Sequence, residues 1–231
     1  MSDEGGTDNQ GSVFRLDPTT GHRAAIYSFT GGIDGNGGDA GVQFGPDDAL
    51  YGENTGGGQY GYGALFRVDM FSHTFTVLHQ FTSADGNTHI FNTPPNLAFN
   101  DSGAIFGTTV SGGNFGKGMI FGLVPATGAL TVLHSFSGSD GKSPTRLVIG
   151  TDGHLYGLTF YGGAGNFGTV FEFDLHTAAF KSLYSFTNTT DGAYPGQGGL
   201  AVSVDGTIYG TTQSGGGTNG SGSGTVFKIT F

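Results

Sequence analysis

The sequence repeats itself at intervals of about 50 residues. The tripeptide Leu-Tyr-Gly, or a close variant, stands at 50–52, 105–107, 155–157 and 208–210. Each copy is followed by a glycine-rich stretch and then by a Val-Phe type of segment. The phenylalanines of that segment lie 50 to 56 residues apart, at Phe14, Phe66, Phe121, Phe171 and Phe227. A fixed period of this length is typical of propellers and solenoids, in which one repeat is one supersecondary unit.

Within each repeat, four short apolar segments follow one another in the same order. In the first full repeat they are Val42–Phe44, the Leu-Tyr-Gly segment, Leu65–Asp69 and Phe75–Phe81. Turn sequences such as Asp152-Gly153 separate the first two segments, and Asp-Gly between strands is a strong hairpin signal. No stretch shows the spacing of a capped amphipathic helix. The sequence therefore predicts an all-β protein built from four-stranded antiparallel blades, a small β-propeller.

Composition excludes several classes of function. The formal net charge of −10 disfavours nucleic acid as a partner, because its binders need a basic surface. The absence of cysteine excludes disulfides, zinc–thiolate sites and a cysteine nucleophile. No apolar run reaches the roughly 18 residues that a transmembrane segment requires. The chain is nevertheless rich in Phe and Tyr and only 11% charged, which is typical of an ordered protein.

The composition also bears on where the protein acts. The acidic start Met1–Gly6 has no apolar centre and is not a signal peptide. The low lysine content and the abundance of Ser, Thr, Gly and Asn are typical of exported proteins. We therefore expect an extracellular or cell-surface protein whose leader is not present in this chain.

The repeat boundaries predict a single propeller domain over residues 1–231. Repeats start near residues 12, 64, 119 and 169; residues 1–11 form part of a loop and 225–231 the final closing strand. Four or five blades fit, with a ring closed by the N- and C-terminal strands, because Ala25–Phe29 could complete the last blade. The third strand is then present twice, as Val13–Asp17 and Val226–Phe231. An open half-ring that pairs with another chain is therefore an alternative.

The motifs of the repeat also resemble a known family. Ile208–Thr212 and Gly224–Lys228 give Leu-Tyr-Gly-Thr-Thr-like and Gly-Thr-Val-Phe-Lys segments, and Tyr184–Phe186 with Asp191–Pro195 gives Tyr-Ser-Phe and Asp-Gly-x-x-Pro. This series resembles the GloVer-type tandem repeat of bacterial extracellular proteins, over about residues 5 to 231. The resemblance implies a secreted or surface-attached, propeller-like protein, and it brings no catalytic residue with it.

Two sets of connections are expected on one face of such blades. One set is the Asp-Gly loops, which join the fourth strand of one blade to the first strand of the next; the other is the glycine-rich loops between second and third strands. Loops on a rigid scaffold commonly carry binding sites. The glycine-rich loops carry aromatic side chains that could stack on a glycan or pack against a protein, namely Tyr60, Tyr62, Phe115, Tyr161 and Phe167.

Two further candidates come from the register of the first strands, which directs Gly41, Asn96, Arg146 and Gly199 towards the mouth of a central channel. Arg146 is the only charge in that set, so Asn96 and Arg146 are added to the candidate ligand-binding residues.

The segment from Asp34 to Asp39 is a candidate Ca²⁺ site, with ligands from Asp34, Asn36 and Asp39. Ca²⁺ takes 6–8 oxygen ligands, so few carboxylates imply a weak Kd of about 10⁻⁴–10⁻³ M. The competing interpretation is that the Asp-Gly pairs are structural turns. No other cofactor is expected.

These observations favour a binding module that contacts glycan or protein through the loop face. One alternative is a structural subunit of an extracellular assembly, which would self-associate; another is a polysaccharide-acting enzyme at the channel mouth. The enzyme has the least support, because no nucleophile–base pair is visible and no catalytic residue can be named. Glu53 and Glu172 fall on different blades, so we expect them in solvent and not as a glycosidase pair.

Overall fold

The computed structural model describes residues 1–2, 4–37, 41–88, 96–217 and 221–230. Within these residues the regular elements are strands, and the chain divides into two compact units. The first unit comprises Met1–Pro95 and Val124–Leu130, and the second comprises Asn96–Leu123 and Thr131–Phe231. The described residues contain no helix that is long and apolar enough to cross a lipid bilayer.

The first unit contains a two-stranded and a four-stranded antiparallel sheet. β1 (Ser12–Leu16) pairs with β2 (Arg23–Ser28). The second sheet has the order β3 (Val42–Phe44), β4 (Leu50–Asn54), β5 (Ala64–Val68), β6 (Phe75–Gln80). A core cluster of this unit consists of apolar residues that are at most 7% exposed: Val13, Phe29, Leu50, Phe66 and Val68.

The second unit, apart from the turn between β9 and β10, contains two four-stranded sheets and a three-stranded one. The first has the order β7 (Ala98–Phe99), β8 (Ile105–Thr109), β9 (Met119–Val124), β10 (Ala129–Ser135). The next is β11 (Lys142–Ile149), β12 (Leu155–Tyr161), β13 (Thr169–Phe173), β14 (Phe180–Ser185). The last is β15 (Ala193–Val202), β16 (Ile208–Ser214), β17 (Val226–Ile229).

The glycine of each Leu-Tyr-Gly segment lies opposite the phenylalanine of the third strand. The cross-strand pairs are Gly52↔Phe66, Gly107↔Phe121, Gly157↔Phe171 and Gly210↔Phe227. The ring covers the glycine so closely that a Cβ atom at Gly52 would lie 2.5 Å from Cζ of Phe66. Because the ring needs the space that a side chain would take, the two residues recur together along the sequence.

β11 and β15 begin well before the strands that the sequence predicts at Leu147–Ile149 and Leu200–Val202. Each contains a register shift that begins at a proline, Pro144 in β11 and Pro195 in β15. Proline has no N–H for the ladder and is tolerated at bulges. The apolar alternation is interrupted there, so the sequence pattern predicts only the C-terminal part of each strand.

The predicted all-β class and the repeated four-stranded antiparallel sheets are confirmed. Among the described strands, β17 has only β16 beside it, and β1 and β2 correspond to the third and fourth strands of a repeat. The number of blades, the closure of a ring and the extent of the domain stay predictions.

Candidate functional site

The aspartates of the Asp-Gly loops act as structural acceptors in the described residues. Asp34 Oδ2 accepts hydrogen bonds from Tyr27 Oη and Thr30 N, both at 2.8 Å, and Oδ1 accepts one from Thr30 Oγ1 at 2.6 Å. Burial opposes ionisation of Asp34, but the hydrogen bonds from Thr30 and Tyr27 outweigh it and lower the pKa of the carboxyl group. Equivalent Thr or Ser and Tyr or His partners surround Asp85, Asp140 and Asp191.

The main chain of each of three Asp-Gly loops is bound by the sheet that follows it. Asn54 Nδ2 donates to Asp34 O at 2.7 Å. Thr169 Oγ1 donates to Asp140 O at 3.3 Å, and Thr225 Oγ1 donates to Asp191 O at 3.2 Å. We call these three contacts the loop latches. They bring each Asp-Gly loop next to the strands that flank the following glycine-rich loop.

The structure gives the Ca²⁺ candidate little support. Asp34 is 4% exposed and its oxygens already accept the hydrogen bonds described above. Asn36 is partly exposed, and Asp39 lies outside the described residues. No group of three or more His, Asp or Glu side chains with metal-binding geometry occurs in the part of the chain that the structure describes. Binding of Ca²⁺ stays a prediction.

Three of the predicted aromatic residues belong to no cluster of rings among the described residues. Tyr60 is 52% exposed and Tyr62 is partly buried, both in the β4–β5 loop of the first unit. Phe115 is 59% exposed in the β8–β9 loop of the second unit. No ring contact connects any of them to another described aromatic side chain, so each offers at most one stacking surface.

The other two predicted aromatic residues, Tyr161 and Phe167, meet around Tyr194. The ring centroid of Tyr194 lies 5.6 Å from that of Tyr161, 5.8 Å from that of Phe167 and 5.4 Å from that of Phe160. Phe160 and Tyr161 also meet edge to face at 4.7 Å. All four rings are partly exposed. We call them the Tyr194 cluster.

Tyr194 is held in a backbone conformation that a large side chain rarely adopts. Its φ is 55°, and its N–H donates to Phe167 O at 2.9 Å. Ser143 occupies the equivalent place in β11 with a φ of 53°, and its N–H donates to Lys117 O. The conformation therefore recurs in β11 and β15, and of these two strands only β15 uses it to present an aromatic ring.

Two cations lie on β11. Lys142 Nζ lies 5.6 Å from the ring centroid of Tyr161, within cation–π range. Arg146 is partly buried, its Nε donates to Gly198 O at 2.9 Å, and burial lowers its pKa. No carboxylate of the described residues lies within 4.0 Å of either cation. Asn96, by contrast, is 3% exposed and donates to Thr108 Oγ1 at 2.6 Å.

A set of titratable side chains around His154 lies beside a cleft of about 560 Å³ in the second unit. His154 Nδ1 lies 2.7 Å from Glu172 Oε1, and its Nε2 lies 3.7 Å from Asp174 Oδ1. The hydrogen bond with Glu172 raises the pKa of His154. Hydrogen bonds from Thr177 and His176 lower the pKa of Asp174 to about 2. The expectation that Glu172 lies in solvent is wrong, because its side chain is only 19% exposed and pairs with His154, the residue just before β12.

The expectation for Glu53 is wrong as well. Glu53 is 0% exposed, because it lies on β4 opposite Leu65 of β5, at a position inside the sheet. The equivalent residues in the other repeats are Thr108, Leu158 and Thr211. The charge of Glu53 indicated a surface position, but its place in the register of β4 determines that it is buried.

The sequence matches the family model described as the Gloeobacter/Verrucomicrobia repeat over residues 92–231. That range is more than half of the chain and includes the last three of the four Leu-Tyr-Gly segments completely. The chain belongs to the Gloeobacter/Verrucomicrobia repeat family. The resemblance to the GloVer-type repeat is therefore confirmed. No curated protein sequence is detectably similar to this chain.

Solved structures show which fold this GloVer protein shares. TolB from Acinetobacter baumannii is similar with a TM-score of 0.57 and 15% identity, over 95% of this chain and 48% of TolB. An extracellular domain assigned to a one-component system of B. thetaiotaomicron is similar with a TM-score of 0.55 and 13% identity, over 96% of this chain and 28% of that one. A gluconolactonase from Xanthomonas campestris is similar with a TM-score of 0.51 and 15% identity, over 93% of this chain and 69% of the gluconolactonase. At these identities the similarity shows a β-propeller-like fold, and the GloVer chain spans about half the length of TolB.

Proposed function

We propose that this GloVer protein is a secreted or cell-surface binding module that holds a glycan on the Tyr194 cluster. The observation that carries the proposal is the meeting of four partly exposed aromatic rings within 6 Å of their neighbours. The apolar C–H face of a sugar ring stacks on such side chains, and binding sites commonly combine aromatic walls with a few polar groups.

Lys142 and Arg146 favour an acidic glycan over a neutral one. Both cations lie on β11 without a carboxylate partner among the described residues, in a chain whose net charge is −10. Four positions along a strand correspond to about 13 Å, the length of two or three sugar units. Lys142 would then bind a carboxylate or sulfate beside Tyr161, and Arg146 a second one.

An extracellular location agrees with this ligand class. One of the similar structures is an extracellular domain, and the Ser-, Thr- and Gly-rich composition is typical of exported proteins. Tyr60, Tyr62 and Phe115 remain candidates for additional weak contacts, which could raise avidity if the glycan is long.

The test is a glycan array followed by titration of the best acidic oligosaccharide into the full chain. One shallow site should give a Kd of about 1 mM. Tyr194→Asn removes the ring while keeping a residue that tolerates positive φ, and it should weaken binding about 3–10-fold. Phe71→Ala, at an aromatic turn residue that is 94% exposed and is not a candidate contact, is the matched control and should bind normally.

Lys142→Gln should reduce the preference for acidic over neutral oligosaccharides and leave the neutral affinity unchanged. If no glycan binds, or if Tyr194→Asn binds as tightly as the wild type, the cluster is not a glycan site. Capture of a protein partner that survives Tyr194→Asn would favour the structural-subunit alternative.

A further inference from the structure

The glycine-rich loop that leads to Phe167 has a counterpart of the same conformation one repeat earlier in the second unit. In the β12–β13 loop, Gly168 N donates to Gly162 O at 3.1 Å, and in the β8–β9 loop, Gly118 N donates to Gly112 O at 3.2 Å. The φ angles agree as well, with 96° at Gly168 and 100° at Gly118. The two loops therefore present their side chains at equivalent places.

The strand that follows each loop covers it in the same way. A Cβ atom at Gly168 would lie 2.6 Å from Cδ of Pro195 in β15, and one at Gly118 would lie 2.5 Å from Cδ of Pro144 in β11. The place beside β11 is thus built like the place beside β15 that holds the Tyr194 cluster.

The side chains at the two places differ in chemistry. Lys117 corresponds to Phe167, and Ser143, whose N–H donates to Lys117 O at 2.8 Å, corresponds to Tyr194. Lys117 is partly exposed, and Phe115, which is 59% exposed, lies two residues before it. The earlier place therefore offers a cation and a single aromatic ring, whereas the later one offers four rings.

Lys142 connects the two places. It precedes Ser143 in β11 and lies opposite Tyr161 of β12, and its Nζ is 5.6 Å from the ring centroid of Tyr161. Since Tyr161 belongs to the Tyr194 cluster, a continuous path runs from the cluster over Lys142 to the place that holds Lys117.

Three positive charges lie along this path. Lys117, Lys142 and Arg146 are three of the eight lysines and arginines of a chain whose net charge is −10. No carboxylate of the described residues lies within 4.0 Å of any of the three, whereas Arg67 contacts Asp47 and Asp69. The path is therefore complementary to a ligand that carries several negative charges in a row.

We propose that this surface binds an internal stretch of an acidic polysaccharide, which runs from the Tyr194 cluster over Lys142 to Lys117 and Phe115. The inference rests on the proposed glycan site and adds a second subsite to it. Sugar units stack on the Tyr194 cluster, and Lys117 binds an acidic group further along the same polymer. The second contact strengthens binding because the first one holds the polymer nearby at a high effective concentration. A short oligosaccharide reaches only the cluster.

The test compares oligogalacturonates, which carry carboxylates, with heparin-derived oligosaccharides, which also carry sulfates. Each series runs from the disaccharide to the octasaccharide and is titrated calorimetrically into the full chain. We expect the affinity for at least one series to rise about 10-fold or more with length. Lys117→Gln should remove most of this gain and leave the affinity for the disaccharide unchanged, and Lys117→Arg should keep the gain. Both variants keep the hydrogen bond to Ser143, because it uses the main-chain oxygen of residue 117.

The matched control is Lys228→Gln, which removes the same charge from an exposed lysine that lies opposite Tyr209 in the last sheet. It should bind the octasaccharides normally. If Tyr194→Asn weakens binding of the disaccharide but affinity does not rise with length, or if Lys117→Gln binds octasaccharides as tightly as the wild type, the second subsite is wrong and the glycan site stands. If no oligosaccharide binds, both proposals fail. An equal loss in Lys117→Gln and Lys228→Gln would show attraction by net charge alone and would overturn the second subsite.

Discussion

Gly157→Ala is the substitution that most directly tests the packing of the repeat. A Cβ atom at this position would lie 2.6 Å from the main-chain oxygen of Arg146 and closer still to Cζ of Phe171. Phe171 is 0% exposed, so its ring cannot swing into solvent, and the carbonyl group belongs to a paired strand. Overpacking of this kind costs about 1–3 kcal/mol of unfolding free energy. For a chain of this size, that corresponds to a fall in Tm of about 2–12 °C.

The matched control is Gly122→Ala, also in a strand. A Cβ atom there would meet its nearest neighbour at 3.5 Å, an ordinary contact, and loss of glycine flexibility can stabilise a protein by about 0.4–1 kcal/mol. Gly210→Ala should fall between the two, because Phe227 is only partly buried and can move aside. Thermal and urea unfolding followed by far-UV circular dichroism measure all three. Surface substitutions already change the free energy of unfolding by about 0.5 kcal/mol. If the free energies of unfolding of Gly157→Ala and Gly122→Ala differ by no more than this, the account of the Gly–Phe pair is wrong.

Two further predictions concern polar groups. Thr159→Val removes a hydroxyl that accepts a hydrogen bond from Thr169 N and donates one to Tyr161 O, so it should destabilise the chain by about 1–3 kcal/mol; Thr151→Val, at an exposed turn, is the control and should unfold normally. His154 should titrate above 6.5, because its bond to Glu172 raises its pKa, and its contribution to stability should be complete below pH 6.5 and disappear as the pH rises through that raised value. NMR titration checks this: the pKa should move towards 6.5 in Glu172→Gln, and a wild-type value at or below 6.5 would contradict the pairing.

Much of the fold could be predicted because the same pattern recurs in every repeat. One ambiguous strand is hard to assign, but Leu-Tyr-Gly followed by Val-Phe recurs along the whole chain and determines the order of the strands. The N-terminal parts of β11 and β15 escaped prediction, because Pro144 and Pro195 interrupt the alternation of apolar residues. Glu53 was misplaced because its charge was given more weight than its position in the repeat.

The candidate site was predicted only in part. Tyr161 and Phe167 could be named from the sequence because they lie in a glycine-rich stretch, whereas Tyr194 lies in the Asp-Gly-x-x-Pro segment, whose pattern indicates only a turn. Phe160 was missed because it continues β12 beyond the Leu-Tyr-Gly segment. The pairing of His154 with Glu172 follows from the register, since Tyr156 lies opposite Glu172 and His154 is two residues earlier. The register of neighbouring strands therefore predicts this pairing.

The loop latches have a consequence for how proteins of this kind change length. Each latch joins a carbonyl group from the loop after one sheet to a side chain of the next sheet, for example Asp140 to Thr169 and Asp191 to Thr225. If one whole repeat of the sequence is deleted, the hydrogen-bond donor of one latch meets the equivalent carbonyl group of another repeat, so a latch forms again at the junction. If half a repeat is deleted, a main-chain oxygen loses its donor. Gene variants of such a protein should therefore differ by multiples of about fifty codons, with shorter insertions confined to the tips of the glycine-rich loops.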